Sequence, residues 1–475
     1  MKLFDAPAVP SGPPLLARRV KLEMGKTTMQ VLIIGAGAAG LAAAQSLCAA
    51  GVRVCVLEAR DRIGGRLYTI RDPSFPIPVE LGAEFIHGRP PEILEIARAA
   101  GLTIAEVTGR HRPLQDGKPA GNDDRFAQVD EIFQRLADPA LPDQTFAEFL
   151  SWIDAEEEAK MAARGYVEGF NAACADRIST HSLAYEGQAQ EAIDGDRAFR
   201  IVEGYDRVPQ WVWGQCAAHS ATLHLNTIVT GIHWQRGWVE VEAQSAPDES
   251  LSGPARSAFT ADRAIITVPL GVLAAPESSP GAIRFVPEVP DLKRALERLE
   301  MGQAVRVTMK FSAETGRRYP ILAEPGFIHS DDEGFPTWWT ALPAPASREA
   351  PPLVLTAWAG GAKAERLATL PDVALAGRAI HSLARILGAQ RAAPARQVEG
   401  WRLHNWCLDP FARGAYSYAG VGGLEARRRL AVPVENTLYF AGEATDTEGH
   451  AATVHGALAS GRRAARQILE SGDTH

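Results

Sequence analysis

The sequence predicts an α/β domain interleaved with a second, α+β domain of mixed sheet and helices. In the first, an apolar run, Val31 to Ile34, enters a glycine-rich turn, a helix-forming run, Leu41–Ala50, and a second apolar run, Val52–Leu57. Such βαβ alternation is typical of a parallel sheet covered by helices. Strand-like segments after residue 300, with little helix between them, predict the sheet of the second domain.

Gly35, Gly37 and Gly40 have the G-x-G-x-x-G spacing of a dinucleotide-binding βαβ unit. The first glycine permits the tight turn, the second lets the backbone approach a pyrophosphate, and the third lets the helix pack on the strand. Glu58 ends the second strand, where a carboxylate can accept both ribose hydroxyls. We therefore predict a dinucleotide site; the alternative is a glycine-rich helix start in an ordinary βαβ unit.

The bulk properties exclude several classes of protein. A chain of 475 residues favours two packed domains. The net charge of −8 argues against nucleic acid or a membrane surface as a main partner. The five cysteines are scattered without C-x-x-C spacing, which predicts reduced thiols and no metal site. We expect a cytoplasmic protein whose residues 1–28, rich in proline and basic residues, form a disordered extension.

Periodicity divides the rest of the chain. Pro91–Gly101 predicts a short amphipathic helix, and residues 123–200 have the spacing of a helical insert. Strands are then predicted at Ala221–Val229, Ile232–Ala243, Arg263–Val268, Val305–Phe311, Phe327–His329, Thr337–Leu342, Leu353–Trp358 and Leu438–Phe440, and helices at Ala362–Leu370, Val373–Leu387 and Thr453–Ser471. We assign 29–88, 201–275 and 430–475 to the dinucleotide-binding domain, and 89–200 and 276–429 to the second domain.

Four separated segments, in this order, resemble the flavin amine oxidases. They read VLIIGAGAAG with LEARDRIGGR, ELGAEFIHG, NWCLDPFARGAYSY, and LYFAGEATDTEGHAATVHGALASGRRAA. That family includes monoamine oxidases, polyamine oxidases and the catalytic domain of flavin-dependent histone lysine demethylases. The resemblance implies a Rossmann-like FAD-binding domain of the p-hydroxybenzoate hydroxylase type, a mixed-sheet and helical substrate domain, and FAD in an extended pose.

The same resemblance implies which residues contact FAD. Glu58 would hold the adenosine ribose, the Val229 backbone the adenine, and Glu443 the ribityl or pyrophosphate region, unless Glu443 is only a buried structural carboxylate. The N-terminus of the last helix would present N–H groups to the flavin N1–O2 edge, where reduced flavin is anionic. The full set is Gly35, Gly37, Ala39, Gly40, Glu58, Arg60, Gly65, Arg66, Gly82, Ala83, Glu84, Phe85, Val229, Trp406, Tyr416, Gly442, Glu443, Ala452, Thr453 and Val454.

The catalytic residues that the resemblance implies are His87, Glu84, Tyr416 and Arg306. His87 aligns with the position where polyamine oxidases place a histidine or an acid near the substrate amine, and Glu84 could add negative potential. For both, a loop-stabilising hydrogen bond is the alternative. Tyr416 would supply one aromatic wall beside the amine. Trp406, Trp338 and Trp339 are further candidates for that wall, with core packing as the alternative.

Three departures from the family pattern narrow what we expect of the flavin linkage, the substrate site and the electron acceptor. Monoamine oxidases have a flavin-bonding cysteine where this chain has Ala415, so we expect non-covalent FAD. Their second tyrosine is replaced by Thr453, as in the polyamine oxidase and demethylase branch. Arg306 stands where most of the family has a lysine near flavin N5, and Lys310 lies about 13 Å further along the strand. Because arginine stays charged, this exchange could slow reoxidation or change the electron acceptor.

The resemblance implies oxidation of a primary or secondary amine, a monoamine or a polyamine, by hydride transfer to flavin N5. Water would hydrolyse the imine to an aldehyde, and O₂ would reoxidise the flavin to give H₂O₂. An L-amino-acid oxidase, with Arg89 or Arg306 facing a carboxylate, a desaturase and a dehydrogenase with another acceptor remain open. A non-catalytic FAD-binding protein is an alternative of another class. The expected partners are the amine and O₂, and a homodimer is left open.

Overall fold

A computed structural model describes residues 18–20, 29–119, 124–217, 221–246, 254–341, 353–390 and 392–472. The strands are β1 (Arg18–Val20), β2 (Gln30–Ile34), β3 (Arg53–Leu57), β4 (Thr69–Ile70), β5 (Val79–Glu80), β6 (Ile86–His87), β7 (Ile104–Glu106), β8 (Arg110–Gln115), β9 (Lys118–Pro119), β10 (Ala198–Ile201), β11 (Thr222–His224), β12 (Thr227–Gln235), β13 (Trp238–Ser245), β14 (Arg256–Ala261), β15 (Arg263–Ile266), β16 (Arg284–Val286), β17 (Leu299–Gly302), β18 (Ala304–Phe311), β19 (Gly326–His329), β20 (Thr337–Thr340), β21 (Leu353–Gly360), β22 (Val398–Arg402), β23 (Tyr416–Ala419) and β24 (Leu438–Phe440).

The helices are α1 (Ala38–Ala49), α2 (Pro91–Ala100), α3 (Asp124–Arg135), α4 (Phe146–Trp152), α5 (Glu157–Phe170), α6 (Thr180–Glu191), α7 (Arg207–Ala217), α8 (Leu270–Leu273), α9 (Pro290–Leu296), α10 (Ala313–Arg318), α11 (Pro320–Ala323), α12 (Gly361–Ala368), α13 (Asp372–Ile386), α14 (Ala392–Ala395), α15 (Gly423–Leu430) and α16 (Val454–Gly472), with a 3₁₀ turn at Glu443–Thr445. Within the described residues, no helix has both the length and the apolar character needed to cross a membrane.

The first sheet is parallel, in the order β11-β3-β2-β15-β24. Helix α1 packs against α7 and α16 on one face, and the layer of β12, β13 and β14 covers the other. Both faces are therefore buried, which explains why β2 and β3 are almost continuously apolar. The strands come from three separated parts of the chain, as the discontinuous domain predicts; the domain boundaries themselves stay a prediction.

Two predicted strands are wrong in their bounds because turns interrupt them. Ile232–Ala243 is a hairpin, since β12 ends before a turn that contains Gly237 with φ of 76° and β13 returns beside it. Ala221–Val229 is divided at Asn226, whose φ is 52°. Apolar residues resume shortly after each turn, so periodicity alone does not reveal the turns. Leu342, the last residue of another predicted strand, lies outside the described residues.

The second large sheet has the order β22-β18-β21-β20-β19-β8-β9. Its neighbours are antiparallel apart from the parallel pair β8 and β19, so the sheet is mixed, as predicted. Buried side chains of α12 and α13 join those of β18 and β21 in one core. Helices α3 to α6 form the predicted insert around a separate cluster. β1 pairs with β14, so the disordered extension is wrong for Arg18–Val20; the rest of 1–28 lies outside the described residues.

Candidate active site

The glycine turn between β2 and α1 leaves space only where a phosphate needs it. A Cβ built on Gly40 would lie 2.0 Å from the Gly35 carbonyl oxygen, and Gly35 has a φ of 107°, so both positions require glycine. A Cβ on Gly37 would meet nothing within 4 Å, and Gly37 caps α1 without a side chain. Open space in front of uncapped helix N–H groups fits a pyrophosphate. Ala39 lies buried in the first turn of α1.

Glu58 and its neighbours border this turn. Its buried carboxylate accepts the Ala36 N–H at 2.7 Å and the Arg60 N–H at 3.0 Å. The Arg60 guanidinium donates to Asp409 at 2.7 Å. Although burial opposes it, His404 and Arg60 hold the pKa of Asp409 below its usual range. Asp409 was missed by sequence reasoning, although it lies inside the third quoted motif.

Glu443 ties three of the motifs together. Arg66 donates through one nitrogen, Nη1, to Glu443 at 2.9 Å and to the Ala415 carbonyl at 2.7 Å. The same carboxylate accepts Ser417 Oγ at 2.6 Å and the Ala452 N–H at 3.2 Å. Burial would raise the pKa of Glu443, but Arg66 and Ser417 hold it below its usual value. Ser417 is a second residue that sequence reasoning missed.

The start of α16 is shaped by its side chains. Thr453 Oγ1 donates to the His450 carbonyl at 2.6 Å and accepts the Gly456 N–H at 3.0 Å, which is the geometry of a helix cap. Ala452 has a φ of 63°, so the backbone turns sharply just before the helix. Val454 is the first helical residue, so its N–H is one of the first-turn N–H groups that have no partner within the helix.

A second buried cluster lies around Glu84. Its carboxylate accepts Arg306 Nη2 at 2.5 Å and the Trp339 indole N–H at 3.1 Å, and it pairs with Arg200 at 2.8 Å. Burial would raise the pKa of Glu84, but Arg200 and Arg306 hold it below its usual value. One carboxylate therefore faces two guanidinium groups, which leaves one positive charge. Arg200 came from no predicted site motif.

The loop that carries Glu84 connects the two clusters. The Gly82 carbonyl accepts Arg306 Nη1 at 2.7 Å, and a Cβ on Gly82 would lie 1.8 Å from the Arg66 carbonyl oxygen. The Ala83 N–H donates to that same oxygen at 3.1 Å. Trp406, almost fully buried, donates its indole N–H to the Leu81 carbonyl at 2.7 Å. The loop is thus fixed from both sides.

His87 and Tyr416 approach the end of α5 from different strands. The His87 ring lies 5.3 Å from the Phe170 ring, and burial lowers the pKa of His87 to about 4, so the imidazole is neutral. The Tyr416 hydroxyl donates to the Phe170 carbonyl at 2.6 Å, and burial raises the pKa of Tyr416. No predicted site motif included Phe170.

Other predicted candidates lie apart from these clusters. Trp338 is fully buried with its indole N–H on the Phe335 carbonyl, as the core-packing alternative predicts. Trp339 instead contacts Glu84. Val229 is buried in β12 just before a bulge, and Gly65 lies against Gly37. Gly442 donates its N–H to Ser460 and immediately precedes Glu443. Lys310 pairs with Glu399 at 3.0 Å, away from Glu84.

Comparison with known proteins shows the family to which the chain belongs. Residues 38–469 match the model of a family described as flavin containing amine oxidoreductase. The chain belongs to this family. It is therefore a flavin-dependent oxidoreductase that acts on amines, and FAD is its cofactor. Membership of the flavin amine oxidases, which the four sequence motifs indicate, is confirmed.

Curated relatives match over most of the chain. Polyamine oxidase 3 of Oryza sativa subsp. japonica is 30% identical over 473 residues, which cover 93% of this chain and 89% of that protein. Polyamine oxidase 4 of the same species is 29% identical, with 92% and 87% covered. Lysine-specific histone demethylase 1 homolog 2 of Arabidopsis thaliana is 29% identical over 93% of this chain, but over only 59% of its own length.

Solved structures of flavin amine oxidases share the fold. A putrescine oxidase redesigned in its cofactor binding superposes with a TM-score of 0.74, at 21% identity over 94% of this chain and 100% of that one. Cyclohexylamine oxidase from Brevibacterium oxydans IH-35A gives a TM-score of 0.74 at 20% identity, with the same coverage. The predicted fold class is confirmed.

Proposed function

We propose that the chain oxidises the C–N bond of a primary or secondary amine with FAD held without a covalent bond. For a primary amine, the amine, O₂ and H₂O would give an aldehyde, ammonia and H₂O₂. The observation that carries the proposal is the carboxylate of Glu443, which joins Arg66, Ser417 and Ala452. These residues come from three motifs far apart in the sequence, and their convergence supports one intact cofactor site.

When bound, FAD supplies the two-electron acceptor for the hydride equivalent that leaves the carbon beside nitrogen. Gly37 and the first N–H groups of α1 would hold its pyrophosphate, and Glu58 its ribose. The N-terminus of α16, from Val454, would favour negative charge on the ring system. Ala415 offers no thiol for a covalent bond.

The substrate side favours an amine that is neutral. A protonated amine has no lone pair to assist loss of the hydride, so the site must bias the amine toward its free base. Arg200 and Arg306 exceed Glu84 by one positive charge, and His87 is neutral. This local charge disfavours a neighbouring ammonium. The ring of Tyr416 would contact the amine and stabilise cationic character as it develops.

An amino-acid oxidase is the second candidate, and one observation favours it. Arg306 Nε and Arg200 Nη2 are buried without a hydrogen-bond partner among the described residues. A buried N–H without a partner is costly, and a substrate carboxylate would satisfy both groups. Arg89 is exposed, so it is a weaker candidate than Arg306 for contacting a substrate carboxylate.

Anaerobic mixing of the purified yellow protein with amines and amino acids, followed by air, tests the proposal. We expect the flavin absorbance to bleach with at least one amine and to recover in air with release of H₂O₂. Bleaching by amino acids alone would replace the proposal by the second candidate. Bleaching without recovery would identify a dehydrogenase. No bleaching by any compound would favour a non-catalytic FAD-binding protein.

A further inference from the structure

We infer that the substrate is a monoamine carrying an aromatic or similarly apolar group, and that polyamines are poor substrates. This inference rests on the proposed function and adds the substrate class. It is carried by a row of rings, here called the aromatic wall, formed by Tyr166, Phe170, His87, Phe85 and Trp339.

The rings of the aromatic wall follow one another without a gap. Tyr166 stacks on Phe170 with ring centres 5.2 Å apart, and Phe170 meets His87 edge to face at 5.3 Å. His87 lies 6.1 Å from Phe85, and Phe85 lies 5.4 Å from Trp339. These separations are those of interacting aromatic pairs. The row ends at Glu84, which accepts the Trp339 N–H.

Exposure falls along the aromatic wall from one end to the other. Tyr166 and Phe170 are each 47% exposed, whereas Trp339 is 5% exposed. Phe85 and His87 between them are partly buried, so they still have accessible surface inside the fold. Large aromatic rings exposed at one end and continuous with a buried charged cluster are typical of an entrance to a binding site.

Polar contacts hold this arrangement in place from other elements. Tyr416 fixes the Phe170 carbonyl, and the Trp358 indole N–H donates to the Gly169 carbonyl at 3.0 Å. The C-terminal turn of α5 is thus tied to β23 and β21. Because the backbone is held, the Phe170 side chain presents its ring to His87 in a defined place.

At the inner end, the described carboxylates of Glu84 and Glu443 are already paired, so neither is free to hold a second ammonium. Glu84 is paired with Arg200 and Arg306, and Glu443 is paired with Arg66. Glu80, which feels the charge of Glu84, is protonated at neutral pH, because burial raises its pKa to about 8. A buried charge without a partner is strongly disfavoured.

The carboxylates near the outer end of the aromatic wall add little negative charge that could hold a second ammonium. Asp130 lies near Tyr166 and is exposed to solvent, where water and salt screen its charge. Glu168 on α5 is paired with Arg164 at 2.9 Å. A diamine or a polyamine would therefore place its distal ammonium against rings and guanidinium groups, whereas an aryl group would bury its apolar surface there.

The first test compares 2-phenylethylamine, putrescine and spermidine as anaerobic reductants of the FAD-loaded protein. We expect the ratio of the limiting reduction rate to the apparent Kd to be at least tenfold higher for 2-phenylethylamine. An equal or higher value for putrescine or spermidine would overturn the inference while leaving the proposed function intact. Failure of every amine to bleach the flavin would instead end the proposed function, and the inference with it.

The second test moves the preference with one substitution. Phe170→Glu supplies the missing carboxylate, so the preference for 2-phenylethylamine over putrescine should fall at least tenfold. Met161→Glu is the matched control, because Met161 is 65% exposed and lies nine residues, half a helical turn in phase, from Phe170 on α5. An unchanged preference in Phe170→Glu, or the same change in Met161→Glu, would contradict the inference.

A binding measurement covers the case in which Phe170→Glu does not fold. Aniline has no hydrogen on the carbon attached to its nitrogen, so it can bind but cannot be oxidised by hydride loss. Its Kd, read from the change in flavin absorbance, should rise about three- to tenfold in Phe170→Leu, because one aromatic contact is lost. An unchanged Kd for aniline would overturn the inference.

Discussion

Glu84→Gln should destabilise the protein because it removes the carboxylate that pairs with Arg306, which is buried, and with Arg200, which is partly buried. Arg306 and Glu84 are each 5% exposed in their side chains and are joined at 2.5 Å. Breaking a buried ion pair by removing one partner costs about 3–5 kcal/mol, since the other charge stays buried. Glutamine can still accept the Trp339 N–H, but its own NH₂ group opposes the guanidinium groups.

The expected change in the Tm of Glu84→Gln can be calculated from the length of the chain. With about 2.1 cal/mol/K per residue, the 475 residues give an unfolding entropy of about 1 kcal/mol/K. The Tm of Glu84→Gln should therefore fall by about 3–5 °C in a thermal melt at neutral pH. Because the pKa of Glu84 in the folded protein lies below its usual 4.5, the stabilising effect is present above pH 4.5. The difference between the variant and the parent should shrink as the pH falls below that value.

Two further variants make the test specific. Glu425→Gln removes an exposed carboxylate that is paired with Arg429 at 3.1 Å, and it should change stability by less than about 0.5 kcal/mol. Adding Arg200→Met to Glu84→Gln removes one of the two stranded charges and should restore part of the lost Tm. If Glu84→Gln and Glu425→Gln melted at the same temperature, the reasoning about the buried cluster would be refuted.

The remaining predictions concern the cofactor site, the electron acceptor and pH. Gly40→Ala should lose FAD and lower the Tm, since its Cβ would lie 2.0 Å from the Gly35 oxygen. Gly37→Ala should keep the Tm within about 2 °C yet bind FAD at least tenfold more weakly, as measured by fluorescence titration; equal FAD affinity in Gly37→Ala and the parent would contradict the phosphate cradle. Arg306→Lys should speed reoxidation of the reduced protein by O₂ about tenfold in stopped flow, whereas Arg112→Lys, at a surface pair, should not. An unchanged rate of reoxidation in Arg306→Lys would show that Arg306 does not control the reaction of the reduced protein with O₂. The Tm of Glu80→Gln, relative to that of the parent, should rise by about 3–5 °C as the pH increases from 5 to 8. The reason is that folded Glu80, with a pKa of about 8, keeps a proton that the unfolded chain releases near pH 4.5, so the parent loses stability over this range. Parallel melting curves across that range would show that Glu80 is not protonated.

The parts of the fold that were predictable are those encoded over a few neighbouring residues. The strand, turn and helix around Gly35 follow from an apolar run and a glycine spacing, both of which are local. The sequence predicts the strand Leu438–Phe440 to the residue, because a short apolar run between turns has well-marked ends. The helix at Pro91 was placed within one residue, since proline begins it and Gly101 ends it.

The parts that were not predictable depend on contacts between distant residues. Arg306 and Glu84 are 222 positions apart, and nothing in either segment specifies the other. Arg200 lies in a strand that periodicity placed at the end of a helical insert. Phe170 ends a helix with an ordinary amphipathic pattern, so its place beside His87 emerges only from packing. The ion pairs of Glu84 and Glu443 with their arginines exist only in the folded protein, because folding brings together residues that are far apart in the sequence.

The most direct test of the account is a single-turnover experiment with 2-phenylethylamine under anaerobic conditions. We expect one aldehyde to form for each flavin that bleaches, and we expect the admission of air to restore the absorbance and release one H₂O₂ per flavin. Bleaching without an equivalent of aldehyde, or an unchanged spectrum with this amine and with putrescine, spermidine and the other amines alike, would contradict amine oxidation as the function of this site.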